Sequence, residues 1–279
     1  MFYLLLAIAS SASVSIAMRL SEGYAKNNIS MLAVNYAVCV LTAGFYTGLH
    51  SIVPIGAGAD FAVGLGVING FLYLVSFLLM QMNVQRNGVV LSAVFMKLGV
   101  LVPAVTAIIF FGEKPAVIQV CGFVTALAAI VLIHMEKEQT DVTFKWGLIL
   151  LLLLGGSGDA MAKVYEELGR AELEENFLFC TFAAAFLLCV AFALKKRQHL
   201  AKEDVFFGVL IGMPNYYSAR FLLKALAHVP AVIAYPTYSI SAIVIVSAAG
   251  VVLFREKMGV RRKAAVALVL AALFLLNVQ

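Results

Sequence analysis

Charge is scarce in this sequence. Of its 279 residues only 13% are Asp, Glu, Lys or Arg, while 63% are hydrophobic and the mean hydropathy is +1.00. Soluble domains are about 45–50% apolar even with glycine counted, and so few charges cannot cover a soluble body. A soluble protein is excluded, and a polytopic membrane protein remains. The formal net charge of +5 does not point to nucleic acid. No basic face is interleaved with aromatics, and the basic residues lie between apolar runs, as membrane-flanking charges do. Cysteine is equally uninformative about chemistry. Cys39, Cys121, Cys180 and Cys189 all lie in apolar stretches, and none forms a CxxC pair. They read as small packing hydrophobes. His50, His134, His199 and His228 are far apart, with no metal-site spacing. There is no HExxH, no nucleophile elbow and no convincing pair of acids, so no enzyme activity, catalytic residue, metal or cofactor is expected. The first apolar run lacks a basic n-region and an A-x-A site, and so reads as a span rather than a signal peptide.

What is present is a series of apolar runs. A span needs about 20 largely apolar residues. Ten stretches qualify: 2–20, 30–49, 60–82, 88–111, 115–135, 146–165, 175–194, 204–226, 229–254 and 260–277. The connections between them are short and leave no room for a soluble domain. With the N-terminus outside, fourteen of the twenty Lys and Arg fall in cytoplasmic connections. Lys114, Lys163, Arg170, Arg220 and Lys224 fall on the other face, and Lys97 belongs to neither. This bias places both termini outside.

The most polar internal connection, HMEKEQTDVTFKWG at 134–147, falls at the midpoint. A shift of 143 residues lays FFGEKP (110–115) on LFREKM (253–258), so that Phe111, Glu113 and Lys114 match Phe254, Glu256 and Lys257. The same shift lays LAAIVL (127–132) on LAALFL (270–275), Tyr73 on Tyr216 and Met18 on Met161. Two five-span halves, 1–139 and 140–279, follow. Because five is odd, the second half enters the membrane from the opposite side, the inverted-repeat frame of secondary transporters. The expected fold is all-α, with ten transmembrane helices in two inverted five-helix repeats.

Two stretches carry a family likeness: GFLYLVSFLLMQMNVQRNGVVLSAVFMKLGVLVPAVTAIIFFGEK (70–114) and GMPNYYSARFLLKALAHVPAVIAYPTYSISAIVIVSAAGVVLFREK (212–257). Each closes on a glutamate with a basic neighbour. The chain resembles the drug/metabolite transporter superfamily, of the ten-span EamA type. That resemblance implies an alternating-access carrier in the cell membrane of a bacterium, with a central cavity between the two halves. Family members move amino acids, nucleotide sugars, triose phosphates, purines or drugs, often outward.

Lys97 lies about halfway through its span. A central lysine costs about 2.5–3.5 kcal/mol on insertion scales, and such groups default to functional sites. It reads as a cation that captures a carboxylate or phosphate, against the alternative of a structural lysine tied to carbonyls or a buried acid. Ala93, Gly99 and Ala104 leave room beside it, and Pro103 can bend the chain and free a carbonyl. Asp159 follows the small-residue run Gly155, Gly156, Ser157, Gly158. It reads either as the i,i+4 partner of Lys163 or as a proton site and partner of Lys97. In the eighth span Asn215, Tyr216, Tyr217, Ser218 and Arg220 cluster, with Arg220 as an interfacial anchor or ion-pair member. In the ninth span Tyr235, Tyr238 and Ser239 share a helical face suited to a cavity wall; Asn69 and Tyr73 of the third span are expected to join it. Glu113 and Glu256 read as helix-end contacts, and YEELGRAELEEN (165–176) as a solvated acidic loop.

The expected function is export of a small organic solute with an anionic group, such as an amino acid, with the lipid bilayer as surroundings and protons as a candidate coupling ion. The rival is proton-coupled efflux of a cationic drug through Asp159, which the charge of Lys97 opposes. No oligomeric state follows from the sequence.

Overall fold

A computed structural model describes residues 1–48, 54–87, 89–134, 144–197, 199–252 and 260–277. Eleven α-helices and one short 3₁₀ turn (Ala171–Leu173) account for its regular structure, with no strand among the described residues. The helices are α1 (Phe2–Ser21), α2 (Asn28–Thr47), α3 (Ala59–Asn87), α4 (Val89–Leu98), α5 (Leu101–Phe111), α6 (Val117–His134), α7 (Lys145–Leu168), α8 (Glu174–Lys195), α9 (Lys202–Leu226), α10 (Ala231–Val252) and α11 (Val260–Asn277). Each of the ten stretches read from hydropathy is largely helical over its described residues. Among the described residues, seven helical segments are long and apolar enough to cross a membrane: α1, α2, α3, Ser92–Phe111, α7, Ala171–Lys195 and α10. Two shorter apolar segments, Val117–Leu132 and Val266–Leu276, lie in α6 and α11. In α9 the apolar run carries Asn215 and Arg220, with Lys202, Glu203, Asp204 and Lys224 toward its ends.

The fourth predicted span is not one helix but two. Pro103 has no N–H, so the Gly99 carbonyl loses its i+4 donor. It accepts instead from the Val102 N–H at 2.9 Å, while the Gly99 and Val100 N–H groups turn back to the Met96 and Lys97 carbonyls at 3.2 and 3.3 Å. The backbone tightens into 3₁₀ geometry at Gly99–Val100 and separates α4 from α5. Pro214 in α9 and Pro236 in α10 leave their helices unbroken.

The acidic run 165–176 is also corrected. Residues 165–168 end α7, and Glu174, Glu175 and Asn176 open α8, with Asn176 buried. Carboxylates in a first turn lie at the positive end of the helix dipole, so the run is helix-forming rather than a solvated loop throughout. The second Phe-x-Glu-Lys copy, 254–257, and the expected boundary at 139/140 lie outside the described residues.

The chain divides into two compact units. One comprises Met1–Leu74 and Val164–Ala225, the other Val75–Lys163 and Leu226–Gln279. Each draws on both sequence halves. In the first unit α2 lies along α8 as the main helix pair; in the second, α6 lies along α11. Close backbone approach builds the first unit. A Cβ on Gly70 of α3 would lie 2.7 Å from Ala184 Cβ and 2.9 Å from Ala185 N on α8. A Cβ on Gly212 of α9 would lie 2.6 Å from Val38 Cβ and 2.8 Å from Asn35 O on α2. Gly66 and Gly208, one turn earlier on each helix, are equally tight. Helix association within a membrane depends on such small-residue contacts, since lipid offers apolar side chains no hydrophobic incentive to associate. In the second unit Ala126, Ala129 and Ile130 of α6 interlock with Val269, Ala272 and Leu276 of α11.

These contacts yield a stability test. Gly70→Ala and Gly212→Ala are each expected to destabilise the purified protein by about 1–3 kcal/mol through overpacking. Gly64→Ala, on the same α3 but with nothing within 4 Å, is expected to leave the thermal midpoint unchanged or slightly raised. Thermal unfolding in detergent reads all three.

Candidate functional site

The second unit contains the helix break, and the break lies beside Lys97. Gly99 at the break and Gly156 on α7 meet backbone to backbone: a Cβ on Gly99 would lie 3.0 Å from Gly156 N and 3.2 Å from Leu152 O. A Cβ on Gly156 would collide with the Gly99 carbonyl oxygen and lie 2.7 Å from Val102 Cγ2. This crossing brings Lys97, two residues before Gly99, near Asp159, three residues after Gly156. Each is the charged neighbour of the other. Yet they form no contact ion pair, and among the described residues the Lys97 ammonium and the Asp159 carboxylate have no hydrogen-bond partner. Lys97 retains exposed surface and Asp159 is half-buried.

Lys163 does not pair with Asp159, as the helical spacing suggested. Its ammonium lies 3.2 Å from Glu113 Oε1, and both side chains are nearly buried, at 4% and 14% exposure. The reason lies in α10. The Ala231 N–H donates to Glu113 Oε1 at 2.9 Å and the Val232 N–H to Oε2 at 3.1 Å, so Glu113 satisfies two orphan donors of that helix start. Glu113 is a helix-end contact, as the sequence suggested, but of another helix. One turn further along α10, the fully buried Tyr235 donates its hydroxyl to the Asp159 carbonyl at 2.5 Å. Tyr238 and Ser239 are half-buried on the next turn.

The first unit holds the remaining candidates. The Arg220 Nε donates to Glu175 Oε1 at 2.6 Å, and the guanidinium lies 3.7 Å from the centroid of the Tyr46 ring. Tyr216, with no exposed surface, donates its hydroxyl to Glu175 Oε2 at 2.6 Å. Its ring stacks on Tyr46 with centroids 5.9 Å apart, and the Tyr46 and Tyr217 hydroxyls meet at 3.0 Å. Arg220 is thus an ion-pair member under an aromatic cover. Asn215 Nδ2 donates to Asn35 Oδ1 at 3.2 Å. Phe182 gathers Tyr36, Tyr73 and Tyr216 around it at 6.1–6.4 Å. Asn69 is buried, and its Oδ1 has no hydrogen-bond partner.

The predicted residues therefore assemble into two sets: Lys97, Asp159, Lys163 and Tyr235 in one unit, and Asn215, Tyr216, Tyr217 and Arg220 in the other. The hydroxyls of Tyr216 and Tyr235 are engaged by protein atoms. Sequence reasoning missed Tyr46, Asn35 and Glu175. A buried arginine requires a counter-charge, and the acids opening α8 were the available signal.

The architecture is that of a multi-pass helical membrane protein. Residues 175–269, from the start of α8 into α11, match the family model of the Small Multidrug Resistance protein, a transporter-like membrane family. The chain is also similar to an uncharacterized protein of Haemophilus influenzae (strain ATCC 51907 / DSM 11121 / KW20 / Rd), at 25% identity over 237 residues, covering 81% of this chain and 79% of that protein. One solved crystal structure shares the fold with a TM-score of 0.74 at 13% identity, over 99% of this chain and 95% of its own.

The buried pair is open to a direct check. Removing one member of a buried ion pair typically costs about 3–5 kcal/mol because the other charge stays behind. Glu175→Gln and Arg220→Gln are each expected to lower thermal stability strongly. The double substitution is expected to recover part of the loss, which a double-mutant cycle measures.

Proposed function

We propose that the protein is a secondary transporter of the drug/metabolite transporter superfamily, EamA type, exporting a small organic solute with an anionic group by alternating access. One observation carries this reading: an ammonium on Lys97 that keeps exposed surface and has no hydrogen-bond or ion-pair partner among the described residues, near a carboxylate on Asp159 that it does not touch. Opposite charges at low dielectric attract strongly, and a pair serving stability alone would close. A solute that bridges them answers both charges at once. A zwitterion fits, with its carboxylate on Lys97 and its ammonium on Asp159, so an amino acid or a related metabolite is the preferred cargo.

Packing supports the inverted repeat behind this mechanism. The principal helix pairs join span two with span seven and span five with span ten, each a helix and its counterpart five spans on. The glycine crossings repeat the pattern with roles exchanged: span three packs on span seven, and span eight on span two. Such pairing is what a duplicated five-span ancestor leaves behind. In this reading the halves 1–139 and 140–279 are the two repeats, and differential binding shifts the populations of the two access states. Tyr235 positions Asp159; Tyr216, Tyr217, Asn215, Asn69 and Tyr73 belong to the walls of the other unit. The bias of Lys and Arg puts both termini outside the plasma membrane of a bacterium.

The match to small multidrug resistance proteins favours a second reading, proton-coupled efflux of a cationic drug, with Asp159 exchanging proton for cation. Lys97 repels such a cargo.

A thermal-shift screen against amino acids, simple carboxylates and quaternary ammonium drugs separates the two. Amino acids are expected to raise the midpoint of the wild type but not of Lys97→Gln. Stabilisation of both proteins alike overturns the anion site. Midpoint shifts with quaternary ammonium drugs alone, abolished in Asp159→Asn, favour efflux. Impermeant thiol reagents applied to intact cells are expected to label cysteines placed at either terminus; protection of both would reverse the orientation.

A further inference from the structure

The first copy of the Glu-Lys motif, Glu113 and Lys114, stands at a helix end, and cargo binding does not account for it. Its contacts do. Glu113 follows α5 and holds two neighbours at once: the first N–H groups of α10, at Ala231 and Val232, and the ammonium of Lys163 on α7. Lys163 lies one helical turn beyond Asp159. Tyr235 lies one turn beyond Ala231 and donates to the Asp159 carbonyl. The Asp159–Lys163 turn of α7 is thus fastened to α10 at both ends, by the tyrosine at one and by the carboxylate at the other. The Gly99–Gly156 crossing fastens the same stretch to the break beside Lys97. Among the described residues the Asp159 carboxylate makes no hydrogen bond or contact ion pair, so its position comes from the turn that carries it.

We infer that Glu113 is a positioning residue: by clamping the start of α10 to Lys163 it holds the α7 turn that sets the Asp159 carboxylate opposite Lys97. The inference rests on the proposed site, but it concerns a residue no solute touches. A carboxylate suits the role better than any neutral side chain. Its two oxygens accept both helix N–H groups, its charge complements the positive helix end, and it neutralises a nearly buried lysine. Glutamine keeps one acceptor and loses the other two functions.

The test reads the field of Asp159 without needing the cargo. In a background of Cys121→Ala and Cys180→Ala, which removes the native thiols with exposed surface, Lys97→Cys supplies a reporter thiol. Its reaction rates with cationic trimethylammonioethyl and anionic sulfonatoethyl methanethiosulfonates are compared. A carboxylate held nearby is expected to favour the cationic reagent about tenfold, and Asp159→Asn sets the floor. Glu113→Gln is expected to bring the rate ratio at least threefold toward that floor. Tyr235→Phe combined with Glu113→Gln is expected to lower it little further than either alone. Lys163→Gln, which leaves the cap in place and removes only the α7 arm, gives the same drop and serves where Glu113→Gln fails to fold. General loosening would speed both reagents and leave their ratio unchanged. A ratio that responds to Asp159→Asn but to none of the clamp substitutions overturns the role of Glu113 and leaves the site standing. A thiol that neither reagent reaches, or a ratio indifferent to Asp159→Asn, overturns the site and the inference with it.

Discussion

A full charge in hydrocarbon has to be answered by another group. A central lysine, arginine or aspartate costs about 2.5–3.5 kcal/mol on insertion scales, and an unpaired one buried in protein costs several. Acid–base neighbours within the helical units are treated differently among the described residues. Glu113 with Lys163 and Glu175 with Arg220 are contact pairs, at 3.2 and 2.6 Å, with further donors filling the carboxylate oxygens. Lys97 and Asp159 remain apart. The two closed pairs behave as structure. The proposed site rests on the open one.

The same constraint shapes the backbone. Irregular chain at membrane depth is tolerated where protein or a cavity receives it. The interruption at Gly99–Val100 meets this condition twice over. Its freed carbonyls are partly recovered through 3₁₀ bonds, and its glycine packs directly on the backbone of α7. Without a side chain at Gly99 or Gly156 the two helices approach closely enough for Lys97 and Asp159 to act on one another. A bulkier residue at either position would widen the gap by the thickness of that side chain. Charge placement and small-residue packing are therefore a single requirement in this region.

Local information was enough to read much of this from sequence. The helical stretches follow from hydropathy, because a backbone in lipid has few options but the helix. The break was legible in Pro103. The counter-charges were not legible, because they come from far along the chain. Glu175 lies 45 residues from Arg220, in a run whose acidity suggested water. Glu113 lies 118 residues from the Ala231 N–H it accepts. Asp159 and Lys163, at ideal helical spacing, looked like partners. They separate because each finds a different answer: Lys163 meets a carboxylate already fixed at a helix start, and Asp159 is turned toward Lys97. Local spacing identifies which pairs are possible, and tertiary packing chooses among them.

The contrast between closed and open pairs also bears on movement. A carrier must let its site change access without losing its fold, so what moves should be weakly held and what frames it strongly held. The closed pairs tie whole helices: Glu113 joins the ends of α5 and α10 to α7, and Glu175 joins α8 to α9 beneath the ring of Tyr46 on α2. Within the second unit α4 ends at a break bridged by 3₁₀ bonds of 2.9, 3.2 and 3.3 Å. Its last turn carries Lys97. In the proposed mechanism, the short helix that carries Lys97 and the fastened turn that carries Asp159 are where binding would meet motion.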